Sequence, residues 1–110
     1  MSESLESLMS RLQAEYLDEI PSRLEELRTE LAAFDNTQSG AGERLGVLFH
    51  RLAGSAGAYG FGGVTACCRR AEQVLEASPP SPKRVVELQD LISEIEAAFA
   101  AGPTTFPIAP

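Results

Sequence analysis

The chain has 110 residues, 44% of them apolar and 23% charged, which supplies one small core and excludes global disorder. Its net charge of −7 excludes the basic stripe of a nucleic-acid binder and disfavours an anionic membrane surface. No stretch nears the ~18 apolar residues of a membrane span, and with Glu3 and Glu6 at the start no signal peptide is expected.

Leu5, Leu8, Leu12, Tyr16, Ile20, Leu24, Leu27, Leu31 and Phe34 recur at three- and four-residue steps, which predicts a helix over Ser4 to Phe34. Pro21 lies inside it. A proline removes one helical hydrogen bond, so a bend or break is expected near Glu19 to Pro21. Glu25, Glu26 and Glu30 read as a solvated face, and Leu5 or Leu8 is available either to the bundle or to a partner. Asp35 to Gly42 is a polar loop.

A second helix is expected from about Ala41 to Tyr59. Tyr59-Gly60-Phe61-Gly62-Gly63 ends it, because glycine readily adopts a left-handed cap. A third runs from about Val64 to Ala77, with Val64, Cys67, Cys68, Ala71, Val74 and Leu75 as its apolar side. Two adjacent cysteines suit neither a disulfide framework nor a metal site, and read as buried thiols of a reducing cytosol. Ser78-Pro79-Pro80-Ser81-Pro82 is a break, with Ser81 as N-cap and Pro82 as first helical residue of a fourth helix to Ala101. Val85, Leu88, Leu91, Ile92, Ile95 and Phe99 form its stripe; Tyr59 reads as core or hairpin packing. The whole predicts an all-α, antiparallel four-helix bundle with a kinked or split N-terminal helix over residues 1–101, and a flexible tail over 102–110.

The second helix carries the informative pattern. At about 100° per residue, Gly46, Gly54 and Gly57 fall within roughly 40° of His50, and Val47 and Ala53 about 60° to either side. Leu45, Leu48, Leu52, Ala56 and Tyr59 occupy the opposite face. Each interior glycine costs about 0.5–1 kcal/mol relative to alanine, so a glycine face needs a reason. Close packing on another helix is one. Clearance for an approaching body, with only His50 protruding, fits better, because the opposite face already supplies the core.

The hairpin between the second and third helices centres near Phe61. Reflection through that centre puts Glu72 beside His50. A carboxylate there accepts from Nδ1–H and leaves the Nε2 lone pair free, as where a carboxylate orients a catalytic histidine.

His50-Arg51-Leu52-Ala53-Gly54-Ser55-Ala56-Gly57-Ala58-Tyr59-Gly60 resembles the signature of histidine-containing phosphotransfer domains: His, x-Leu-Lys-Gly-Ser and a later Gly. Cys68 and Glu72 continue the likeness, which spans roughly Leu45 to Leu75. The resemblance implies a relay in which His50 takes a phosphoryl group from a receiver-domain aspartate, or a kinase, and passes it to a response-regulator receiver. Gly54 keeps the docking surface open there, and Glu72 matches a Gln or Glu position that holds the imidazole. The docking surface is expected at Gly46, Val47, Ala53 and Gly57. Where the family often has lysine, this chain has Ala53, which leaves Arg51 or Arg69 to supply charge.

The chain contains no Gly-x-x-x-x-Gly-Lys loop, so a phosphocarrier without its own nucleotide site is expected. It would need no cofactor and no metal, with Mg²⁺ on the receiver. The expected partners are response-regulator receiver domains and a hybrid sensor histidine kinase, met by a cytoplasmic monomer, without nucleic acid or membrane. Two alternatives stand beside this: a non-catalytic helical adaptor using the small-residue face, and the histidine-bearing domain of a chemotaxis-type kinase.

Overall fold

The computed structural model describes residues 3–77 and 79–104. Ser4 starts the first helix. Its backbone is extended (ψ 158°), and its hydroxyl accepts from the Ser7 N–H at 3.1 Å, satisfying one of the free donors of the first turn. From there α1 (Leu5–Asp35) runs without interruption, with Pro21 inside it. The proline therefore does not split the helix in two. Pro21 is itself exposed, while Tyr16, Ile20, Leu24, Leu27 and Leu31 beside it are buried, and packing of that stripe outweighs one lost hydrogen bond.

Three further helices follow: α2 (Ala41–Ala58), α3 (Gly62–Glu76) and α4 (Arg84–Ala101). Each packs on its chain neighbour, and α4 closes the ring on α1; among the described residues the diagonal pairs do not bring their backbones together. This is the expected four-helix bundle, with the 31-residue α1 as its longest element. Among the described residues no helix is long and apolar enough to cross a membrane.

The α2–α3 turn shows how the local sequence sets the hairpin. Gly60 takes the left-handed conformation (φ 88°). That allows Phe61 N–H to reach the Ala56 carbonyl at 2.8 Å and Gly60 N–H the Gly57 carbonyl at 3.1 Å, a Schellman closure. Of the three glycines expected to end α2, only Gly60 does so; Gly62 and Gly63 open α3. Phe61 is then 1% exposed and packs with its ring tilted against Phe99, centroids 5.2 Å apart, while Tyr16 stacks on Tyr59 at 4.4 Å. Gln13 caps this end from α1, its amide donating to the Tyr59 carbonyl at 2.8 Å, and the Tyr16 hydroxyl shares a 2.7 Å bond with Ser55.

Two boundaries differ from expectation. Ser81 does not cap α4: its hydroxyl accepts from the Lys83 N–H at 3.1 Å, making a turn, and the helix begins at Arg84. The Ser-Pro pair thus precedes the helix by a turn instead of opening it. At the other end, Thr104 N–H donates to the Gly60 carbonyl at 2.9 Å, so the stretch read as a tail begins by returning to the α2–α3 turn. Residues 105–110, the rest of that stretch, lie outside the described residues.

Candidate functional site

The core defines what α2 leaves outside. Ala41, Leu45, Phe49, Leu52, Ala53 and Ala56 are all buried. This stripe is centred between Phe49 and Leu45, to one side of the face assigned from Leu48 and Tyr59, both of which are half-buried. The difference arises because α2 has two neighbours, α1 and α3, and the α3 side covers Ala53. At 1% exposure Ala53 is core, not docking surface, and the Thr65 hydroxyl donates to its carbonyl at 2.7 Å.

His50 points away from this stripe, its side chain 69% exposed. Its Nδ1 lies 3.3 Å from Glu72 Oε2, the pairing expected across the hairpin. Glu72 has only 20% of its side chain exposed and is itself held by Arg69, whose guanidinium donates to Oε1 at 3.0 Å. Arg69 also stands 3.3 Å from His50 Nδ1. That nitrogen either donates to Glu72 or accepts from Arg69. When Nδ1–H donates to Glu72, Nε2 keeps its lone pair, the arrangement that a nucleophilic imidazole requires.

Arg51, also expected to support the site, is exposed and makes no side-chain hydrogen bond or ion pair among the described residues. It lines the surface between α1 and α2 as well as the groove beside His50. That groove, about 670 Å³, follows α2 and α3 towards the end of α1 and the start of α4, and is lined by Phe34, Gly42, Gly46, Val47, Leu75 and Arg84. Val47, at 47% exposure, is on the surface where it was expected.

The glycines divide into two kinds. A Cβ at Gly46 or Gly54 would meet nothing within 4 Å, so both positions are open beside His50. A Cβ at Gly57 would stand 3.1 Å from the Thr65 hydroxyl, so Gly57 serves close approach of α2 and α3. The reflection through Phe61 that pairs 50 with 72 also pairs 57 with 65. Gly46→Ala is expected to stabilise the fold by about 0.5–1 kcal/mol, and Gly57→Ala to give none of that gain. Urea midpoints at unchanged slope measure both; equal gains would contradict the distinction.

Cys67 and Cys68 are buried free thiols, as expected. Burial pushes the Cys68 thiol up to about 12, so it stays protonated and unreactive at neutral pH. Among the described residues no group of His, Cys, Asp and Glu is placed to hold a metal ion.

Compared with known proteins, residues 11–98 match the family model described as Hpt domain. Comparisons with curated proteins and with solved structures return no match.

Proposed function

The chain belongs to the Hpt domain family, which serves phosphotransfer in two-component signalling, and from that premise we propose that it is a phosphocarrier with His50 as its phosphoryl-accepting residue. One observation carries the assignment to His50: an exposed imidazole bound through Nδ1 to Glu72, with the open positions Gly46 and Gly54 next to it.

In the forward step His50 Nε2 attacks the phosphorus of a partner's acyl phosphate. The N–P bond forms, the acyl P–O bond breaks, and the aspartate carboxylate leaves with the electron pair. Positive charge develops on the ring, and Glu72 meets it through the Nδ1 proton. In the onward step a receiver carboxylate attacks phosphorus, and the electron pair of the N–P bond returns to Nε2. Such transfer is in line and loose, so positioning supplies most of the catalysis. Mg²⁺ and the acceptor aspartate belong to the receiver. The bundle over residues 1–101 is the working unit, a cytoplasmic monomer meeting receiver domains and a hybrid kinase.

A phosphorylated receiver domain should label the chain, and the label should be acid-labile and alkali-stable, as a phosphoramidate is. An acid-stable label would point to Ser or Thr instead. A partner that binds equally well without any phosphate would favour the adaptor.

A further inference from the structure

We propose that Arg69 is the residue that carries the phosphoryl charge, moving from Nδ1 and Glu72 onto the phosphoryl oxygens when His50 is modified; this rests on His50 being the phosphoryl acceptor. A phosphoryl group brings about −1.5 to −2 charges to a place that already holds Glu72, with Glu43 and Glu76 lining the same groove. The docked charge needs a cation within contact of the ring.

Position 53 is inside the core and provides none. Arg84 is committed elsewhere, its guanidinium 4.7 Å from the Phe34 ring centroid. Arg51 follows His50 by one residue, about 100° round the helix; it borders both the α1 side of α2 and the groove beside His50, but makes no hydrogen bond to the imidazole. Arg69 alone among the described cations touches the imidazole, 3.3 Å from Nδ1, with half of its side chain exposed and so free to turn.

The contact with Nδ1 gives the move a direction. Arg69 on Nδ1 requires the proton on Nε2, the tautomer that cannot attack. Glu72 on Nδ1 requires the reactive tautomer. The two partners exclude one another on a single nitrogen. A phosphoryl group on Nε2 draws the guanidinium outward by charge, and Nδ1–H then bonds Glu72 without competition. Arginine suits this because its planar fork pairs with two phosphoryl oxygens at once.

The test phosphorylates the full chain with potassium phosphoramidate, which requires no protein partner. The phosphoryl titration is then followed by ³¹P NMR in wild type, Arg69→Ala, Arg69→Lys and Arg51→Ala. Loss of a paired cation should raise the apparent phosphoryl pKa by roughly half a unit or more in Arg69→Ala. Arg69→Lys should recover part of that shift, and Arg51→Ala should change it little. A residue that merely orients Glu72 would not move this titration. An Arg69→Ala titration that overlays wild type would overturn the role of Arg69 and leave the phosphocarrier standing. A wild-type chain that takes no label on His50 would overturn both.

Discussion

His50→Gln is expected to remove phosphoryl acceptance completely while leaving the bundle as stable as before. Glutamine is polar and of similar size, and the position is 69% exposed, so the change in stability should fall within about 0.5 kcal/mol. Glu72 keeps its ion pair with Arg69 at 3.0 Å and is not left unpaired. What disappears is the exposed imidazole beside two open glycine positions. A receiver domain carrying labelled phosphate measures the first outcome, and a urea titration the second. Label on the substituted chain would place the nucleophile elsewhere. Loss of label together with loss of folding would show that His50 has a structural part its exposure does not suggest.

Gly54→Gln should separate docking from folding in the opposite sense. Nothing lies within 4 Å of a Cβ at this position, and its backbone is helical. Glutamine is the better helix former there, so stability should rise, by up to about 1 kcal/mol. The added side chain stands one turn beyond His50, where an approaching receiver would need to pass. Transfer from a receiver domain should fall by about tenfold to a hundredfold, the penalty typical of displacing reacting groups by about an ångström. Labelling by phosphoramidate, a small donor, should be nearly unchanged. Equal rates with receiver and small donor relative to wild type would remove the clearance argument for Gly54.

The site was legible to an unusual depth because helices translate sequence spacing into space directly. The exposed His50, its partner Glu72 and the open Gly46 and Gly54 all follow from a fixed turn per residue and one symmetric hairpin. The same rule failed at Ala53. A helical wheel places it on a flank, and whether a flank is buried depends on where the next helix lies. Thr65 and the α3 backbone settle that, with α3 close enough for a 2.7 Å bond to the Ala53 carbonyl. Phe49, fully buried, belongs to the core face as well; on the wheel it lies about 40° from Leu45 towards Ala53, which moves the stripe to the α3 side. Gln13 gave no such signal. A glutamine in a helix reads as solvated, and only the arrival of the Tyr59 carbonyl makes it a buried cap.

From sequence alone came the number of helices, their order, the turn centred near Phe61 and the pairing of His50 with Glu72. These depend on periodicity and on short-range conformational preference, both local properties of the chain. Tertiary structure decided the rest. It carried Pro21 through an unbroken α1, because packing of the flanking stripe exceeds the loss of one hydrogen bond. It put Ala53 inside and gave Gly57 to Thr65, because those depend on how closely α2 and α3 approach. It also set Arg69 against the nitrogen that Glu72 binds, since the reach of an arginine over a neighbouring helix is fixed by side-chain conformation and not by spacing along the chain.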